Sequence, residues 1–385
     1  MRLMFRYDEK LLRSLMRLYP NSTYDKYLAS IRNPGKYYSV RVNTLKCNPD
    51  TLQKVLNDIG FDVYRHKILE EALLIPIRGP YKVPCVNKRV IADKRAAESV
   101  YQGSNLYAPG VIKANNIYFN DEVTVVTEYD EPIGYGIALM SSEDMIKCNK
   151  GLAVNIKVSV FKTPKIRELE VYNSGLIYEQ GIPSMIVSRE VDPQPGETII
   201  DMCAAPGGKT SHLIQLSRGK AKIYAFDHSN SKIKKMKNEM LRLGVLNMVK
   251  VFKADSRYLH VDYPWIKADK VLLDPPCSSL GVRPKLYDKK SYSEIISLSN
   301  YQKQFLKTAW EILKPGGILV YSTCTVTYEE NENIIYYAIE ELGFEPEKLT
   351  YYKLGEHHMN RCIMRFHPHI HDLTGYFIAK LKKPG

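Results

Sequence analysis

No stretch of the 385 residues stays apolar for the roughly 18 positions that a membrane-crossing helix needs. The opening MRLMFRYDEKLL mixes charge into its apolar positions and lacks a signal-peptide core. These two absences predict a soluble, cytoplasmic protein with no membrane partner. Cysteine is scarce: the seven stand at 47, 85, 148, 203, 277, 324 and 362, an odd number without a CxxC pair, which argues against a disulfide framework or a structural zinc site. The nine histidines include His357, His358, His367, His369 and His371, but no acidic or cysteine partner lies at ligand spacing, so no metal is expected. Internal repeats and low-complexity blocks are missing as well. Acidic residues are in deficit, 42 against 55 Lys and Arg, giving a net charge of +13. That balance favours a polyanionic partner, most simply nucleic acid, although a solvated basic surface would carry the same count.

What is present divides into three textures. Residues 1–86 open with YDEKLLRSLMRLY, whose Leu11, Leu12, Leu15, Met16 and Leu18 recur at helical spacing. A turn at Asn33-Pro34-Gly35 follows, then the β-rich YYSVRVNTLK, a helix PDTLQKVLNDIG capped by Asp50 and stopped by Gly60, and a strand FDVYRH. This reads as a small α+β unit. Residues 87–163 change to short β-runs punctuated by glycine, with Val123, Val125 and Thr127 alternating, as a small barrel or sandwich would require. From 164 to 385, strands alternate with helices, which predicts an α/β, doubly wound, mostly parallel Rossmann-like sheet with YFIAKLKK closing an edge.

In that last segment IIDMCAAPGGKT places Gly207 and Gly208 between a strand and a helix, where the missing side chains let a ligand approach the backbone. The loop does not meet the Walker A spacing, which disfavours a phosphate ligand. Asp227 ends the next strand, at the spacing from the glycines where an acid accepts hydrogen bonds from ribose hydroxyls. Asp255, after the third strand, is placed to receive an exocyclic amine of an adenine. Three successive strands delivering polar groups to one edge point to a nucleoside cofactor, although each acid alone could be a helix cap.

VLLDPPCSSLG sets Cys277 in a loop at the carboxyl end of an apolar strand that Pro275 and Pro276 must terminate. Open α/β sheets place ligands and chemistry at that end. Cys324 follows a second strand of the same sheet, in GGILVYSTCT. The ordered motifs DMCAAPGGKT, DPPCSSLG and YSTCT, with RVNTLK near the start and PHIHDLTGYFIAKL at the end, resemble the Sun family of RNA cytosine-5 methyltransferases. AAESVYQGSNLYAPGV and the hairpin FNDEVTVVTEYDEPIGYGIA resemble a PUA RNA-binding domain.

The resemblance implies S-adenosyl-L-methionine as cofactor, held by Cys203, Ala204, Ala205, Pro206, Gly207, Gly208, Lys209, Asp227, Asp255 and Asp274. It implies Cys324 as the nucleophile that adds to carbon 6 of cytosine, with Cys277 assisting product release. Asp274 would bond the target base, and Lys209 would stabilise developing charge or meet a phosphate. A PUA-like segment ahead of the sheet resembles the branch acting on the tRNA acceptor end at cytosine 72, and the loop around Gly110 is the expected contact with the unpaired end. A monomer is expected. Competing readings are an rRNA substrate, a DNA-methylase-like chemistry with Cys277 as nucleophile, and an RNA-binding assembly factor with an inactive pocket.

Overall fold

The computed structural model describes residues 5–385, so the first four residues of the opening MRLMFRYDEKLL stretch lie outside the described residues. Its largest sheet runs Val249–Lys253, Lys222–Asp227, Thr198–Asp201, Ala268–Leu273 and Leu313–Thr323, all parallel, followed by antiparallel Tyr376–Lys382, Ile363–Phe366 and Glu356–His358. Alternation along each strand feeds two cores. Ile199, Ile223, Ala225, Leu272 and Val320 pack on one face with Leu213, Met236 and Met240 from the helices Gly208–Leu216 and Asn230–Leu243. Ile200, Phe226, Val271, Leu273 and Tyr321 pack on the other with Phe305, Ile312 and Ile334 from Tyr292–Ile312 and Glu332–Glu340. A period of two in the strands puts a helix layer on each face.

Residues 89–159 form a separate six-stranded sheet around the helix Lys94–Tyr101, whose core also takes in Leu286 and Tyr287. A four-stranded sheet joins Tyr37–Val42, Tyr64–Arg65 and Ala72–Pro76 to Ile177–Glu179. The strand Phe5–Tyr7 pairs instead with Asp288–Lys290.

Four details differ from expectation. Tyr376–Lys382 lies inside the sheet between Leu313–Thr323 and Ile363–Phe366, because its side chains are buried nearly throughout and need cover from both neighbours. The helix Pro49–Asp58 is capped by Asn48, whose side-chain Oδ1 accepts the Asp50 N–H at 2.8 Å, with Pro49 in the first turn where no donor is required. A helix Ser22–Arg32 precedes the Asn33-Pro34-Gly35 turn; two of its four buried residues are tyrosines, which mask the apolar period. In the first helix, Glu9–Leu18, Leu11 and Leu15 are buried and Met16 faces outward.

These two N-terminal helices position the cysteine loop. Tyr19, Tyr27, Leu28 and Ile31 share a core with Leu280 and Val326, and the Tyr27 hydroxyl donates to the Leu280 carbonyl at 2.7 Å. Among the described residues no helix is long and apolar enough to cross a membrane.

Candidate active site

A cleft of about 260 Å³ opens at the carboxyl edge of the large sheet, between the diverging turns after Thr198–Asp201 and Ala268–Leu273. Cys203, Ala205, Asp227, Asp255, Asp274, Pro275, Pro276, Cys277 and Cys324 line it, together with Tyr301 and Phe305. Ala204, Pro206, Gly207, Gly208 and Lys209 are not lining residues. Their positions explain the loop instead. Gly207 takes φ 103°, and a Cβ there would lie 2.6 Å from Met240 Cε; a Cβ on Gly208 would lie 2.9 Å from the Tyr178 ring. Both glycines are thus required by close packing beneath the turn.

The loop is fastened from below by Arg41, in the stretch RVNTLK. Its buried guanidinium donates to the Gly208 carbonyl at 2.6 Å, to Gln180 Oε1 at 2.5 Å and to Ser211 Oγ at 2.6 Å, and it stacks over Tyr178. Burial pulls Arg41 down to about 10, yet it stays cationic at neutral pH. Asp227 ends its strand inside the cleft, oriented by the Ser229 N–H on Oδ1 at 2.9 Å. Asp255 is gripped by Arg257, whose Nε and Nη2 reach its oxygens at 3.0 and 2.6 Å, and this contact holds its carboxyl below the usual range. Two carboxylates on neighbouring strand ends, in a cleft also lined by Tyr301, Phe305 and the two prolines, fit a nucleoside: hydroxyls for the acids, a flat ring for the apolar walls.

At the other end of the cleft the two cysteines meet, Cys277 Sγ 3.4 Å from Cys324 Sγ. Adjacent parallel strands with Leu272 opposite Val320 bring them together. Contact with Cys277 is the largest influence on Cys324 and holds it below the ordinary thiol value; burial and Asp274 oppose this, while Ser279 and Lys209 assist. Cys277 is pushed well above the ordinary value, first by Cys324 and then by burial. Of the two sulfurs Cys324 is therefore the one that gives up its proton more readily, and Cys277 the one that keeps it.

Asp274 lies beside them and is held by three donors: Lys209 Nζ at 2.6 Å on Oδ2, Ser322 Oγ at 2.8 Å and the Tyr376 hydroxyl at 3.4 Å on Oδ1. Burial would lower Lys209, but Asp274 and Tyr376 outweigh it and keep the ammonium charged. The loop itself hangs on Glu330, which is fully buried. That carboxyl accepts the Ser278 N–H at 2.8 Å, the Ser278 hydroxyl at 2.5 Å, the Thr327 hydroxyl at 2.8 Å and Gln302 Nε2 at 3.2 Å. Sequence reasoning missed Arg41, Arg257, Ser279, Gln302, Ser322, Glu330 and Tyr376 as site residues. Arg41, Arg257, Gln302 and Tyr376 lie away from the cysteine motifs, and nothing in their spacing marks them.

Comparison with known proteins agrees with this architecture. Residues 189–382 match the family described as 16S rRNA methyltransferase RsmB/F, and residues 88–160 match the PUA domain. A tRNA (cytosine(72)-C(5))-methyltransferase of Pyrococcus horikoshii is 42% identical over 93% of this chain and 92% of its own. The human tRNA (cytosine(72)-C(5))-methyltransferase NSUN6 is 30% identical over 84% of this chain and 77% of its own. The crystal structure of NSun6 from Pyrococcus horikoshii with SFG, an S-adenosylmethionine analogue, superposes with a TM-score of 0.92 at 40% identity, covering 99% of this chain and 100% of that one. With a two-cysteine cleft at the switch point of its sheet and a PUA domain inserted ahead of it, the chain belongs to the RsmB/F family, as an S-adenosylmethionine-dependent methyltransferase.

Proposed function

We propose that this enzyme methylates carbon 5 of cytosine 72 at the acceptor end of tRNA. The observation that carries the chemistry is the pair of sulfurs 3.4 Å apart at the mouth of a nucleoside-shaped cleft. Carbon 5 of cytosine is a weak nucleophile, and a thiolate added at carbon 6 makes it enamine-like. Cys324 is the thiolate of the pair and forms that bond. Asp274, held by Lys209, Ser322 and Tyr376, orients the base through its amino edge, and Lys209 offsets charge pushed into the ring. Bound S-adenosylmethionine supplies the electrophilic methyl carbon, with Asp227 on its ribose and Asp255 near its adenine.

Release follows from the same pair. The largest cause of the high Cys277 value is the neighbouring Cys324 sulfur. Once that sulfur is bonded to carbon 6 its hold on the Cys277 proton is gone, although burial, Glu330 and Asp274 still raise the thiol, and loss of that proton to solvent leaves Cys277 as the base. It then takes the proton from carbon 5, the bond between Cys324 and carbon 6 breaks, and the electron pair returns to sulfur. A base in a stem must leave its stack to reach this point, and the PUA domain with the basic surface would hold the RNA while it does so. The seven free cysteines suit a reducing cytoplasm.

The test is tRNA transcript methylation mapped by bisulfite sequencing, run with two variants. Cys324→Ala should form no covalent complex, whereas Cys277→Ala should stall as a cofactor-dependent protein–RNA adduct through Cys324. An adduct kept in Cys324→Ala and lost in Cys277→Ala would reverse the roles. Methylation of rRNA but not tRNA would replace the substrate, and an enzyme that binds no cofactor would revive the assembly-factor reading.

A further inference from the structure

Ser279 stands two residues beyond Cys277 with φ 57°, in the left-handed region that glycine adopts freely and a serine does not. The turn around it is fully occupied by backbone contacts. Its carbonyl accepts Lys285 Nζ at 3.0 Å and the Val282 N–H at 3.1 Å, and the Gly281 N–H donates to the Cys324 carbonyl at 3.0 Å. A glycine would keep every one of these bonds and remove the backbone strain. What the serine adds is a hydroxyl, and its Oγ lies 3.4 Å from Cys324 Sγ against 4.0 Å from Cys277 Sγ. Strain kept at a reactive group is a reason to look for a role.

We propose that Ser279 is a further catalytic residue, its hydroxyl donating a hydrogen bond to the Cys324 sulfur in the thiolate form that attacks the base. The proposal rests on the reading of Cys324 as nucleophile. Cys324 is faced by Cys277 and Ser279 from the cysteine loop, by Asp274 at the end of the adjacent strand with Lys209 bonded to it, and by Tyr376 from the other neighbouring strand; Glu330 acts on Cys277. In this surrounding Cys277 supplies one donor to the thiolate, and Ser279, from the same loop, supplies a second. Removing a donor from an anion favours its protonated form, so the midpoint of Cys324 reactivity must move up in pH.

The experiment uses the full chain with Ser279→Gly, which suits the backbone, and Ser279→Ala. The rate of Cys324 alkylation by iodoacetamide is followed against pH by peptide mass, without RNA or cofactor. Both variants should raise the midpoint by about one unit, giving about tenfold slower modification below it and no difference above it. Single-turnover methylation should show the same displaced rising limb. A Ser279→Gly protein whose alkylation midpoint matches the wild type overturns the proposal, whatever happens to its activity, and leaves Ser279 a turn residue. A displaced midpoint in an enzyme that methylates no RNA leaves Ser279 standing and removes the functional reading instead.

Discussion

Replacing Glu330 by alanine tests whether the cysteine loop is held by the site's buried carboxyl or by its own prolines. Two of the four donors on Glu330 can be satisfied elsewhere: the Ser278 hydroxyl has Thr325 Oγ1 at 2.6 Å, and Gln302 Nε2 has the Pro276 carbonyl at 3.0 Å. The Thr327 hydroxyl can rotate. The Ser278 N–H cannot, and stays buried without a partner, at about 1–3 kcal/mol; with the lost packing of the truncated chain the total is roughly 2–4 kcal/mol. Because Ser278 follows Cys277 directly, loosening that bond lets the sulfur drift, and a misplacement near 1 Å costs on the order of a hundredfold in rate. Urea unfolding and single-turnover methylation measure the two effects. Glu330→Gln keeps a carbonyl for the Ser278 N–H and should stay within about 1 kcal/mol of wild type. Cofactor affinity, set on other strands, should be unchanged in both. An alanine variant that methylates at the wild-type rate would show that the prolines alone fix the loop.

Asp227→Ala should raise the S-adenosylmethionine dissociation constant at least tenfold by calorimetry, since one or two charge-assisted bonds of about 1.5–3 kcal/mol are lost; an unaltered constant would move the ribose contact elsewhere. Asp201 is buried beneath the glycine loop, where burial pushes its carboxyl up to about 7 against the Thr210 hydroxyl bond. A folded value above the unfolded one, about 3.9, means the folded state keeps an extra proton, so this group's contribution to stability falls as pH rises from about 4 to about 7. Asp201→Asn should flatten that part of the urea-midpoint profile, and a constant offset between the two proteins from pH 5 to 8 would refute it.

The chemistry was legible where rare residues sit at strand ends. Cys277 behind two prolines and Cys324 behind an apolar run are set by local sequence, and adjacent strands in a doubly wound sheet must bring such ends together. Asp227 and Asp255 follow from the same rule. The supports were not legible, because each depends on long-range convergence of ordinary residues. Arg41 meets Gly208 across 167 positions, and Tyr376 meets Asp274 across 102. The interior place of Tyr376–Lys382 was missed for a related reason: chain order put it last, but burial on both faces made it central. Ser279 lies within VLLDPPCSSLG, yet its left-handed backbone could not be read from a serine.

The same long-range convergence ties the PUA domain to the reacting sulfurs. Asp288 is buried and receives Lys94 Nζ at 2.6 Å from the PUA helix and Lys285 Nζ at 3.1 Å from the cysteine loop. Lys285 in turn holds the Ser279 carbonyl, and the strand Phe5–Tyr7 pairs along Asp288–Lys290. Burial alone would raise Asp288, but the two lysines outweigh it and keep it ionised. Buried ion pairs are a poor source of stability, because desolvation offsets much of the attraction. Their effect here is geometric: removing Asp288 would break both lysine pairs at once, so this carboxylate ties the PUA helix, the N-terminal strand and the cysteine loop into one arrangement. Asp288 is therefore the point at which this chain fixes the PUA helix relative to the loop that carries Cys277.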